Sequence, residues 1–404
     1  MKRIYVYSVA AAIALGAVSC STSGTNFSYE DKREAALKKA AIAFVDNTVI
    51  PTYHAMADAA VDLAELCVQI EASANANAAT DIVASGEGTL SAATSELLAQ
   101  ACEKWYEARK YWELSEAFLY GAAGDYFIDP HIDSWPLDAA ELQALLDDDN
   151  RMDKMDAEYA GSFLGYGLLG FQAVEYMTFD IDASTYNTKG EVRNVPYGRA
   201  EELVFLTAVA GDLANQCVRL EASWSGMENV SSEKQQMLTD AELEPSFDYG
   251  ESMRNAGQGG SKYKSYLEAA QEIIQGCADI ADEVANQKIN RPNTGTNGED
   301  LSYIESPYAK NSKQDFYDNI VSIRNAYEGS HEGDASVADY LATVDADVNQ
   351  EVLDAIEASL SAIEAAPAPF VNYAGSSNEL WEKATDECNR LKTALDNAQT
   401  VIGQ

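Results

Sequence analysis

The chain has 404 residues, 47% of them hydrophobic, enough material for more than one packed core, and global disorder is excluded. Its 66 Asp and Glu stand against 27 Lys and Arg, a formal net charge of -39, which repels phosphate backbones and anionic headgroups and excludes a nucleic-acid binder. Cations, metals and neutral or basic surfaces remain as partners.

At the N-terminus, Lys2 and Arg3 precede an apolar run over residues 4–18, too short to span a bilayer and suited to a secretory h-region. It ends in Ala17-Val18-Ser19-Cys20, which resembles a bacterial lipobox. The expectation is a signal peptide over residues 1–19, a lipid on the Cys20 thiol, and a Ser/Thr/Gly tether through residue 32. The protein would then sit on the cell envelope, held to a membrane by lipid alone. Residues 159–174, the most apolar stretch downstream, are too short to span a bilayer and read as a buried core helix.

From Asp31 onward, apolar residues recur three and four apart, which predicts helices over 32–74, 90–120, 156–179, 198–223, 262–289, 312–328, 346–365 and 376–401. Pro51 is expected to bend the first, because it removes a donor and crowds the preceding turn. Residues 60–73 (AVDLAELCVQIEAS) and 210–223 (AGDLANQCVRLEAS) align without gaps, and we read them as a duplication producing two helical halves, 33–190 and 191–404. Between helices, residues 122–138, 224–261 and 290–311 collect Gly, Pro, Asn and Trp, and such loops are where binding groups gather. Cys67, Cys102, Cys217, Cys277 and Cys388 are scattered singly and read as buried thiols.

Three histidines leave no His-Glu-x-x-His helix, and neither a Gly-x-Ser-x-Gly elbow nor a phosphate-binding loop is present. His54 reads as structural. More informative is residues 161–176, where Gly161, Gly165, Gly167 and Gly170 crowd an apolar run that ends in Gln172 and Glu175. Glycines there imply close backbone approach or a break. Gln172 and Glu175 are three apart and share a helix face, and a buried carboxylate must be paired, hydrogen-bonded, metal-bound or protonated.

Gly170-x-Gln172-x-x-Glu175 resembles the Gly-x-His-x-x-Glu signature of the imelysin family, with glutamine at the histidine position. Residues 112–121 (WELSEAFLYG), 129–138 (DPHIDSWPLD), Glu305-Ser306-Pro307-Tyr308, Asp315-Phe316-x-x-Asn319-Ile320 and Asn325-Ala326-Tyr327-x-Gly329 resemble further family blocks in the same order. The resemblance implies an all-α fold of two four-helix-bundle-like halves with a site at their junction. It implies Gly170, Gln172, Glu175, Trp112, Ser115, Glu116, Asp133, Trp135, Glu305, Ser306, Asp315 and Asn319 as site residues, with Glu175 a metal ligand. An amide at position 172 is a poor transition-metal ligand and no general base, so an oxygen-rich site suits iron as a hard cation, or another divalent or trivalent ion, better than zinc.

The family's association with iron uptake implies a non-catalytic envelope binder for a metal ion, chelate or iron-bearing protein, working with uptake components. Its founding insulin-cleaving activity keeps a metallopeptidase as the alternative, although no complete catalytic constellation is present. A surface scaffold without ligand is a third reading.

Overall fold

The computed structural model describes residues 28–182 and 187–404; the expected signal segment and Cys20 lie outside them. The described residues form helices, with two isolated β-bridges, Ile82 to Tyr197 and Phe179 to Val192. The architecture is all-α.

Ser28 starts α1 (Tyr29–Ala43) with a capping box, its hydroxyl accepting from the Asp31 N–H while the Asp31 carboxylate accepts from its own N–H. The chain then passes through a π-helical turn, Phe44–Val49, into α2 (Ile50–Ala76) without leaving the helix. Pro51 lies just beyond. It cannot donate to the carbonyl one turn back, and the widened turn accommodates the loss. The same arrangement recurs where the π-helical Val284–Asn290 precedes Pro292.

In the first half, α2 packs along α3 (Ala92–Glu113) and α5 (Ala200–Ser225), and α4 (Gly170–Thr178) lies against α3 and α5. The second half joins α6 (Tyr266–Glu283), α7 (Ser312–Glu328), α8 (Val337–Val344), α9 (Ala346–Ala365) and α10 (Glu379–Val401). The halves are interleaved along the sequence. Helix α1 packs on α6 and α8, whereas α5, C-terminal to the expected boundary at 190, packs along α2. The two matched segments, 60–73 and 210–223, therefore lie on neighbouring helices of one bundle and do not relate one half to the other.

Each half has an aromatic core. Trp105 meets Phe171 and Phe179 edge to face, and its ring N–H donates to the Phe171 carbonyl at 2.9 Å. Phe316, Phe370 and Trp381 meet edge to face in the second half. Helix α5 alone among the described helices is long and apolar enough to cross a membrane, and 72% of that stretch is buried in the protein, as befits a core helix.

The expected helix over 156–179 is interrupted. Ala157–Phe163 ends at an extended Leu164, a single 3-10 turn follows, and α4 begins at Gly170. Gly170 has φ +68, and a Cβ there would lie 1.9 Å from the Ile132 carbonyl oxygen. Only glycine fits. The glycine run thus marks a break where α4 is pressed against the segment carrying Asp133.

Candidate functional site

The end of α3 aims a polar stripe into the protein. Arg109 and Trp112 follow Trp105 at helical spacing and all three are buried, so the guanidinium enters the seam between the halves beside indole rings. There Arg109 contacts carboxylates from four chain segments. One guanidinium nitrogen pairs with Asp133; the other lies 2.5 Å from Glu113 and 2.6 Å from Glu305, and Nε lies 3.9 Å from Asp315. Trp112 donates to the second Asp133 oxygen at 2.7 Å, and the Phe171 ring lies 5.2 Å from the guanidinium carbon.

The second π-helical turn supplies the other cation. Lys288 lies 3.2 Å from Glu305, 3.4 Å from Glu116 and 3.6 Å from Glu113, 5.5 Å from the Trp135 ring centroid. Asn319 of α7 donates to Glu113 at 2.5 Å, and Ser312 to the Glu305 carbonyl at 2.5 Å. Five buried carboxylates, Glu113, Glu116, Asp133, Glu305 and Asp315, thus share two buried cations.

This imbalance sets the electrostatics. Burial pushes Glu113 and Asp315 up to about 7 and Glu305 up to about 8, while Arg109 and Lys288 work in the opposite direction. Glu116 is driven well above the usual carboxylate range by the same burial. Burial works to lower Arg109 and Lys288; the surrounding acids overcome it and hold both well above their ordinary values. The cluster has more negative capacity than its own cations neutralise.

Ligand oxygens of Glu113, Asp133 and Glu305 lie within 4.8 Å of one another, close enough for one cation to reach all three, and oxygen is the donor a hard cation takes. The second Glu305 oxygen and one Asp315 oxygen are buried without a hydrogen-bond partner among the described residues. This donor set, all oxygen and anionic, fits a small multivalent ion. Glu175, expected as the ligand, has its Oε1 accepting from the backbone N–H groups of Tyr308 at 2.9 Å and Ala309 at 2.7 Å, while its Oε2 is buried without a hydrogen-bond partner among the described residues. The carboxylates that converge are Glu113, Asp133 and Glu305. Glu175 instead ties α4 to the loop carrying Glu305, and burial raises it to about 8 against those two donors.

Of the other residues expected here, Trp112, Glu116, Asp133, Trp135, Glu305, Asp315 and Asn319 meet in the cluster. Ser306 is buried beside it with φ 47, in a loop whose Lys310 also has positive φ. Ser115 turns back to the Trp112 carbonyl at 2.7 Å, and Gln172 is buried with its amide nitrogen unpartnered among the described residues. Gly170 acts through backbone fit alone. The histidines stand apart, His54 with Glu221, His131 with Asp212 and His331 beside Asp334. Arg109, Glu113 and Lys288 were not expected. The signal was present for the first two, charged residues at positions 4 and 8 after Trp105 on a stripe otherwise apolar.

The sequence model of the imelysin family matches residues 67–398. Iron-regulated protein A of Synechococcus elongatus is 26% identical over 321 residues, covering 79% of this chain and 71% of that protein. A crystal structure titled as an iron-regulated protein A precursor from Parabacteroides distasonis superposes with a TM-score of 0.71 at 25% identity, covering 91% of this chain and 95% of the other. An imelysin-like protein from Psychrobacter arcticum shares the fold, with a TM-score of 0.52 at 14% identity over 91% and 93% of the two chains. With the family match spanning most of the chain, and the same helical fold in both solved structures, this protein belongs to the imelysin family.

Proposed function

We propose that this protein is a lipid-anchored envelope binder that takes part in iron handling, capturing iron or a similar hard cation at Glu113, Asp133 and Glu305 without covalent chemistry. The observation that carries this reading is the five-to-two excess of buried carboxylates over cations in the seam. The iron-regulated relatives support the choice of metal. Cys20 would hold the protein to the membrane and the acidic exterior would concentrate cations near it.

The ligating side chains are almost wholly buried, so capture requires the Glu305 loop to move. Binding would release protons from the raised carboxylates, which must ionise to coordinate a cation. The test is thermal unfolding with ferrous, ferric, calcium or zinc ions, for wild type and for Glu305→Gln. A metal-dependent rise in melting temperature, lost in Glu305→Gln while that variant still folds, supports the reading. No shift with any of these ions overturns it.

A further inference from the structure

Helix α1 carries charge of the opposite sign to the rest of the chain. Between residues 31 and 39 its exposed residues are Asp31, Lys32, Ala35, Ala36, Lys38 and Lys39, three lysines to one acid, where the whole chain has more than two acids for every base. Asp31 is committed to the capping box with Ser28, and Glu34 turns towards α6, accepting from the Tyr266 N–H at 2.8 Å. Glu30, two residues before Lys32, falls about 160° round the helix from it. The cations are available. The side chains of Lys32 and Lys39 hold no hydrogen bond, ion pair or ring contact among the described residues, and Lys38 lies 5.8 Å from the Tyr266 ring centroid.

Beside this face a groove of about 350 Å³ runs between α1 and the start of α8. Lys32, Arg33 and Lys39 line it against a single acid, Asp339, whose carboxylate accepts from the Ser336 N–H at 3.2 Å. Tyr29 and Tyr340 complete it with their hydroxyls 3.3 Å apart, and Tyr29 is 57% exposed. Ammonium groups beside an exposed tyrosine suit the headgroup layer of a bilayer, where phosphate pairs with the cation and the ring rests at the boundary between wet and apolar.

The covalent route to a membrane ends at this face. Cys20 precedes Ser28 by eight residues, so a lipid on its thiol holds the start of α1 within about 30 Å of the headgroups, the reach of a fully extended segment. Tethering at that range raises the local concentration of the face at the bilayer, so a weak attraction suffices to seat it. Charges interact with the membrane only within about a Debye length, roughly 10 Å, so the nearest face decides the contact and not the net charge. The acids elsewhere are repelled by anionic headgroups and turn the body the same way, α1 towards the membrane.

We propose that the exposed face of α1, with the groove between α1 and α8, seats on anionic phospholipid headgroups and gives the anchored protein one orientation on its membrane. This rests on the lipid anchor of the preceding subsection and is independent of the metal.

The full chain is purified from the membrane fraction of cells expressing it and reconstituted into vesicles of phosphatidylcholine alone or mixed equally with phosphatidylglycerol. Lysines are then acetylated and mapped by mass spectrometry, with exposed Lys154 as the reference and the Cys20 peptide analysed for lipid. Lys32, Lys38 and Lys39 should label at least about fivefold more slowly on the mixed vesicles, Lys154 should label alike on both, and raised salt should abolish the difference. In Lys32→Glu combined with Lys39→Glu, two exposed and unpartnered sites whose exchange keeps the fold, the protection of Lys38 should disappear. Equal labelling on the two vesicles with Cys20 acylated overturns the docking face and leaves the anchor standing. Protection of Lys38 that survives in the double variant also overturns the face. Cys20 recovered without lipid overturns the anchor, and the docking inference with it.

Discussion

Arg109 and Glu305 lie 196 residues apart in the chain and meet at 2.6 Å in the seam between the two halves, each fully enclosed. Replacing the guanidinium strands several carboxylates at once. Arg109→Met should lower unfolding free energy by about 3 to 5 kcal/mol, the range for breaking a buried pair. Urea denaturation followed by circular dichroism gives the number. Arg109→Met combined with Glu305→Gln should cost less than the sum of the two, because they share one interaction.

Glu175 makes stability fall as pH rises. Its folded value is about 8 against an ordinary 4.5, so between these pH values the unfolded chain releases a proton that the folded chain keeps. The associated cost is absent below about pH 4.5 and complete above about pH 8. Melting temperatures measured from pH 5 to pH 9 should decline more steeply for wild type than for Glu175→Gln, which still offers an oxygen to the Tyr308 and Ala309 amides. Equal slopes would remove Glu175 as the source.

Two glycines nine residues or fewer from Gln172 should respond in opposite ways. Gly170→Ala meets the Ile132 carbonyl and a left-handed φ, and should cost about 2 kcal/mol or more. Gly165 has ordinary extended backbone and open space around it, so Gly165→Ala should be neutral or stabilising by up to about 1 kcal/mol. Chemical denaturation of the two variants side by side checks the contrast.

All five cysteines among the described residues are unpaired and buried, and burial pushes Cys102 and Cys388 up to about 12 and the others higher still. Thiolate is the reactive form, so these thiols should be inert in the folded state. Titration with a thiol-reactive chromophore at pH 8 should label none of them before denaturant is added and all of them afterwards.

Helices α7 and α9 lie where apolar spacing puts them, since each has one clear stripe and a sharp start. The interrupted 156–179 region was harder to read, because its glycines fit either a close-packed helix or a break, and only the Ile132 backbone against Gly170 decides. The cluster was half legible. Motif resemblance led to Asp133, Glu305 and Asp315, and Arg109 shows as a charge on an apolar stripe, but Lys288 looks on paper like an ordinary surface charge, and it takes the long-range fold to bring acids around both. The 60–73 and 210–223 match does not relate the two halves, because both segments lie on α2 and α5, neighbouring helices of one bundle, and only the packing shows this.

The widened turn before Pro292 has an engineering consequence. A π-turn amounts to one residue more than a regular helix would use, and each residue turns the helix by about 100°. Deleting one residue between 284 and 287 would restore even winding on the N-terminal side, yet it would swing the Lys288 ammonium off Glu113, Glu116 and Glu305. A change that looks like tidying would therefore leave the acids facing one another with half their counterions gone.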